Sequence, residues 1–258
     1  MSAPAGRAPR AVFFDLDDTI FDHARATRVA LAAVRDTEPA FAGWSLDELD
    51  RRHRLVLEAW HQEVLAGRAT IDQARVARFG ELIVAAGGPD DGDRASTLAA
   101  AYRSVYTTTW FTVPGAIALV EAIRARDIAV AIVTNNVLVE QQLKLDRCGL
   151  TSLRATLVTS EEIGQQKPAA AIFQAALDRV GVTADEAVMV GDAWATDIEG
   201  ARRAGIRPVW LNRFRQRSPD TTVAELRTFE PLEQALAVVV RSSPIRAEGK
   251  GQGSEGRG

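Results

Sequence analysis

Sulfur and histidine are scarce in this chain. Its 258 residues include one cysteine, Cys148, and three histidines, His23, His53 and His61. A single cysteine excludes an intrachain disulfide framework and a thiolate zinc site, and the histidines show no metal-ligand spacing. Cys148 falls in Leu145-Asp-Arg-Cys-Gly-Leu150, an expected helix end where packing is its plainer role. Long hydrophobic runs are missing too. No stretch of about 18 apolar residues occurs and the N-terminus has no signal-peptide core, so the expectation is a cytoplasmic enzyme without a membrane partner. Charge of one sign is also absent: 31 Lys and Arg against 34 Asp and Glu leave a net charge of −3. Basic residues this dispersed give no reason to expect a nucleic acid polymer as partner.

What is present is ordinary globular material, 47% hydrophobic and 25% charged. The length suits one large domain or a core carrying a substantial insertion. Residues 1–10 are rich in Ala, Pro and Gly and read as a flexible leader; residues 242–258 read as a disordered polar tail. The tail contains Gly251-Gln-Gly-Ser-Glu-Gly256, formally a dinucleotide-binding fingerprint. No strand precedes it, no helix follows and no acid lies downstream, so that reading is rejected.

Near the N-terminus stands Val12-Phe13-Phe14-Asp15-Leu16-Asp17-Asp18-Thr19. An apolar run ending in carboxylates reads as a buried parallel strand that delivers side chains at its C-terminal end, where open α/β sheets bind ligands. From 22 to 109 the pattern turns helical. Ser45-Leu-Asp-Glu48 and Thr70-Ile-Asp-Gln73 have capping-box form and each opens a helix. Leu46, Leu49, His53, Val56 and Trp60 recur at helical spacing between them, and about four helices are expected in all. From Pro114, placed to open a helix, strands alternate with helices: 128–133, 155–158, 187–190 and 208–211 are the expected strands. This alternation specifies a parallel sheet with helices on both faces. Thr196-Asp-Ile-Glu199 also has capping-box form.

Four polar clusters fall in order at or near the strand ends: Asp15-x-Asp17-x-Thr19, Thr134-Asn135, Lys167-Pro168 and Gly191-Asp192-Ala-Trp-Ala-Thr-Asp197. Together they resemble the haloacid dehalogenase superfamily, from residue 11 to about 213. The resemblance implies a Rossmann-like core at 11–21 and 110–241 with an all-helical cap inserted at 22–109. It also implies phosphoryl transfer on a small phosphorylated metabolite. An aspartate, ionised at neutral pH, needs no base to act as nucleophile, and Asp15 would form an aspartyl-phosphate. The cofactor implied is Mg²⁺, a hard ion held by oxygen donors. By resemblance Asp15, Asp192 and the main-chain carbonyl of Asp17 are its ligands, with Asp197 supporting the site through water or the lysine. Asp17 would be general acid and then base. Thr134 and Lys167 would hold the phosphoryl oxygens, and Asn135 sits where a main-chain amide adds a donor.

Plainer readings stay open at this point. Asp192 and Asp197 also suit helix caps, and Lys167 a solvated loop. Asp17 favours a phosphatase over a 2-haloacid dehalogenase, whose halide leaves without a proton. A sugar phosphomutase is the alternative; those proteins usually carry Gly where this chain has Asp18. Residues 58–79 look similar to the pyrimidine 5′-nucleotidase branch, which suggests a nucleoside 5′-monophosphate as substrate. Trp60, Arg68 and Arg75 are the candidate substrate contacts there; helix–helix core packing is the plainer reading of Trp60, and solvated surface that of the two arginines. The sequence leaves monomer and homodimer both open.

Overall fold

The computed structural model describes residues 8–241. The expected tail, with its formal fingerprint, and residues 1–7 of the expected leader lie outside the described residues. Arg10, the last residue of the expected leader, is tied to the sheet: it donates its backbone N–H to the Glu186 carbonyl at 2.8 Å and accepts from the Ala129 N–H at 2.9 Å.

Every residue of β1 (Ala11–Phe14) is buried, as a strand covered on both faces requires. Its side chains alternate. Val12 and Phe14 join one hydrophobic cluster, whereas Ala11 and Phe13 join another on the opposite face. The remaining strands are β2 (Ala129–Thr134), β3 (Leu157–Thr159), β4 (Ala187–Gly191), β5 (Arg207–Leu211) and β6 (Ala224–Leu226). They form a six-stranded parallel sheet in the order β3-β2-β1-β4-β5-β6. The chain builds outward from β1 to β3, returns, and builds the other way from β4. The order therefore reverses beside β1, which opens a crevice at the carboxyl ends of β1 and β4. In register, Phe14 lies between Ile132 and Val190, so Asp15 is the first residue past the strand.

Four helices separate β1 from the rest: α1 (His23–Arg35), α2 (Leu46–Leu65), α3 (Ile71–Ala85) and α4 (Gly92–Thr108). Thr70 and Gln73 complete the expected capping box at α3. At α2 only half of it forms. Ser45 accepts from the Glu48 N–H, but the Glu48 carboxylate turns to Arg51 and Arg52. The two connections to the sheet run side by side: Asp22 N–H donates to the Phe111 carbonyl and Val113 N–H to the Ile20 carbonyl. None of the described helices is long and apolar enough to cross a membrane.

The helices that follow are α5 (Ala116–Arg124), α6 (Leu138–Arg147), α7 (Ser160–Ile163), α8 (Ala170–Val180), α9 (Glu199–Arg203) and α10 (Leu232–Val239). Several expectations shift here. α5 starts two residues after Pro114, behind Gly115 at φ +79°. A Cβ on Gly115 would lie 2.9 Å from the Phe229 carbonyl, so glycine, not proline, sets that helix start. The third strand begins at Leu157 instead of 155, because Thr151–Thr156 wind into a 3-10 helix that buries Leu153. Neither β6 nor α10 was expected; β6 has only three residues, too few to show an alternation.

Candidate active site

Four loops at the carboxyl end of the sheet bring the polar clusters together. Lys167 is the hub. Its ammonium donates to Asp15 Oδ1 at 2.6 Å and to the Val133 carbonyl at 2.8 Å, and it pairs with Asp197 Oδ1 at 2.7 Å. The side chain is only 3% exposed, which rules out a solvated loop lysine. Asn135 fixes the lysine's backbone. Its Nδ2 donates to the Lys167 carbonyl at 2.9 Å, and its Oδ1 accepts from the Lys167 N–H at 2.6 Å. The Asn135 side chain thus positions Lys167.

Asp197 belongs to a π-helical turn, Trp194–Ile198, and its Oδ2 accepts from the Ala193 N–H at 3.0 Å. The capping box expected at 196–199 does not form. Asp197 turns its carboxylate inward to Lys167, and α9 starts without a side-chain cap. The inward turn depends on Gly191, where a Cβ would stand 2.3 Å from Asp197 Oδ2. Gly200 serves the packing behind it, since a Cβ there would meet the Phe173 ring at 2.6 Å.

Asp15, Asp192 and Asp197 each offer a carboxylate oxygen, all within 4.8 Å of one another. One ammonium stands against three carboxylates. Burial raises the Asp15 carboxyl to about 7; Lys167 opposes that shift, and Asp197 and Asp17 add to it. Burial likewise raises Asp192, reinforced by Asp15 and Asp197. This correlates with an all-oxygen donor set that lacks positive charge, which fits a hard divalent cation. Thr19 stands beside it, with Oγ1 3.5 Å from Asp192 Oδ1.

Asp17 points elsewhere. Lys144 Nζ lies 2.5 Å from its Oδ1, Gln141 Nε2 donates to Oδ2 at 3.0 Å, and Asn136 Nδ2 approaches at 3.5 Å. Gln141 also donates to Thr134 Oγ1 at 2.9 Å. Burial works to raise the Asp17 carboxyl, but Lys144, His23 and Gln141 outweigh it and hold it well below the usual carboxylate range. Neither Lys144 nor Gln141 was singled out from the sequence. The available signal was helical phase: both are buried on α6, on the side that also buries Leu145.

Asp18 takes φ +61°, the left-handed region that glycine and, less often, aspartate adopt. Its Oδ1 accepts from the Ala24 N–H at 2.8 Å, which ties the loop to α1. An aspartate here therefore meets the same backbone demand as a glycine.

Above Asp17 lies a cavity of about 120 Å³ between α2, α3, α4 and the start of α6. Trp60 and Arg75 both line it. Trp60 donates its Nε1 to Glu81 at 2.8 Å, and Arg75 bonds Asp72 and Glu140. Arg68 is not part of it. Its side chain is 63% exposed, pairs with Glu63 and borders a separate outer groove with Gly164 and Gln166.

Residues 9–205 match the family described as haloacid dehalogenase-like hydrolase. The chain belongs to that family. The ribulose-1,5-bisphosphate 5-phosphatase of Halopiger xanaduensis is 34% identical over 202 residues, 77% of this chain and 83% of that relative. The pyrimidine 5′-nucleotidase YjjG of Escherichia coli is 38% identical over 125 residues, 46% of this chain and 55% of that protein. Among solved structures, the HAD-hydrolase YfnB of Bacillus subtilis, bound to magnesium, has a TM-score of 0.71 at 25% identity. The match covers 89% of this chain and 99% of that one. In this haloacid dehalogenase-like hydrolase the matched span holds all four polar clusters and the four helices between β1 and α5.

Proposed function

We propose that this hydrolase is a Mg²⁺-dependent phosphatase that cleaves a small phosphomonoester through an aspartyl-phosphate on Asp15. One observation carries the reading: Asp15 sits against Lys167 with Asp192 and Asp197 around it, while a second carboxylate, Asp17, stands two residues on and outside that cluster. An Asp15 oxygen attacks phosphorus, the bond to the leaving oxygen breaks, and that oxygen takes a proton from Asp17. Asp17, now ionised, takes a proton from water; the hydroxide displaces Asp15 and inorganic phosphate leaves. Thr134, Lys167 and the main-chain amide of Asn135 hold the phosphoryl oxygens. Asp15, Asp192 and the Asp17 carbonyl would hold Mg²⁺, with Asp197 behind them. When bound, the ion supplies positive charge that lets one anion approach another.

Lys144 holds Asp17 ionised, the state that the second half of the reaction needs. A dianionic phosphate arriving beside Asp17 raises its proton affinity by like-charge repulsion, which is what the first half needs. We assign residues 22–109 as a helical cap that shelters these steps from water. The phosphatases among the relatives and the magnesium in YfnB support the reading. The test is phosphate release from p-nitrophenyl phosphate. Turnover with Mg²⁺, its loss on chelation and its absence in Asp15→Asn are expected. Turnover unaffected by chelation would contradict the metal assignment.

A further inference from the structure

The cavity above Asp17 carries a charge that its own residues leave unanswered. Asn136 and Lys144 line it and both reach Asp17, so it opens where a leaving group would sit. Its walls are aromatic, with Trp60, Phe79, Tyr102 and Tyr106 facing in. At about 120 Å³ it has room for several waters or the body of a small metabolite. Four cationic side chains of Arg and Lys line it, against Glu140 as the one carboxylate among its described lining residues. Three of the four are taken. Arg75 and Arg103 both bond Glu140, at 2.8 and 2.6 Å, and Lys144 is held by Asp17. Arg78 is the fourth. Its Nε is buried with no hydrogen-bond partner, and no ion pair reaches its guanidinium among the described residues. A desolvated cation without a counter-charge is costly, and a planar guanidinium meets carboxylate or phosphate oxygens in pairs.

We propose that Arg78 selects substrates whose leaving group carries a second anionic group, a carboxylate or another phosphate, seated in the cavity between α2, α3 and α4. The proposal rests on the phosphatase reading above and names its substrate class. Glu140 sharpens the choice: by occupying Arg75 and Arg103 it leaves one guanidinium for one anion. It also repels an anion seated against those two arginines. A nucleoside 5′-monophosphate brings aromatic surface for the walls but nothing anionic beyond the phosphate that reacts, so it leaves Arg78 bare.

The test compares the specificity constants of the wild-type enzyme for ethyl phosphate, 2-phosphoglycolate and 1,3-propanediol bisphosphate. These leaving groups are neutral, carboxylate-bearing and phosphate-bearing. The wild type is expected to prefer at least one anionic partner over ethyl phosphate by about 10-fold or more, the size of a charged hydrogen bond. The arm that wins says which anion is read. In Arg78→Met that ratio falls towards one, mainly through KM, and Arg78→Lys recovers part of it. Equal turnover of all three by the wild type overturns the proposal without any variant being needed. A ratio unmoved in Arg78→Met and Arg78→Lys also overturns it and makes Arg78 structural. Hydrolysis of none of the three with Mg²⁺ present overturns the phosphatase reading and this inference with it.

Discussion

Replacing His53 with leucine isolates the contribution of one buried, unpartnered imidazole. His53 lies in α2, 1% exposed, with its ring 5.3 Å from Tyr102 and 5.9 Å from Phe79. Neither ring nitrogen has a hydrogen-bond partner. Burial pushes its pKa down to about 3, and the positive charge of Arg78 adds to the shift. Between the ordinary value of about 6.5 and about 3, the unfolded chain binds a proton at this site and the folded chain does not. Stability therefore falls as the pH falls through that window. From pH 8 to pH 5 the loss works out at about 2 kcal/mol, given by RT times the logarithm of the ratio of the two proton-binding terms. Leucine has a similar volume and cannot titrate. Urea denaturation at both pH values should show His53→Leu gaining about 2 kcal/mol on the wild type between pH 8 and pH 5. In thermal melts at pH 5 that part of the gain is about 4–8 °C for a chain of this size. A difference between the two proteins that stays constant with pH would refute the argument, because the imidazole would then be charged, or equally neutral, in both states.

Two further substitutions probe the site's scaffolding. Gly191→Ala forces a Cβ onto the Asp197 carboxylate; Mg²⁺ affinity by titration calorimetry and turnover should each drop about 10-fold or more, the usual effect of disturbing groups that orient metal ligands. Asn135→Ala removes both bonds that fix the Lys167 backbone. A loss of about 1–3 kcal/mol in urea denaturation is expected, since the buried lysine amide and carbonyl lose their partners, together with lower kcat. Unchanged stability and kcat in Asn135→Ala would show that the lysine loop holds itself.

The parts legible in the sequence share a physical cause: their signal is local. β1 shows because a short apolar run ending in carboxylates suits a strand covered on both faces, and α3 because Thr70 and Gln73 write its capping box three residues apart. Asp15, Thr134 and Asp192 could be placed at strand ends for the same reason. The rest depends on what approaches from far along the chain. Lys144 looks like a surface lysine on a polar helix until Asp17, 127 residues earlier, is beside it. Gly191 looks like any glycine after a strand; its lack of a side chain matters only because Asp197 folds back over it. The capping-box reading at 196–199 fails because Thr196 lies inside the π-helical turn Trp194–Ile198 that runs on into α9, so it does not stand at a helix start. Arg68 lies outside the cavity for the opposite reason. Its local partner, Glu63, is only five residues away and keeps it outside the cavity. Arg78 carried no local mark, because an arginine without a partner is visible only once every neighbouring acid has been accounted for.

The central claim is that Asp15 takes the phosphoryl group and Asp17 is needed to release it. Asp17→Asn, mixed with Mg²⁺ and p-nitrophenyl phosphate, whose leaving group departs without a proton, then quenched in acid and reduced with borohydride, tests this directly by peptide mass spectrometry. The account predicts that residue 15 is recovered as homoserine, the reduction product of an aspartyl-phosphate, and that Asp15→Asn shows none. Phosphate release with no modification of residue 15 in Asp17→Asn, or a phosphoryl group found on another residue, would contradict it.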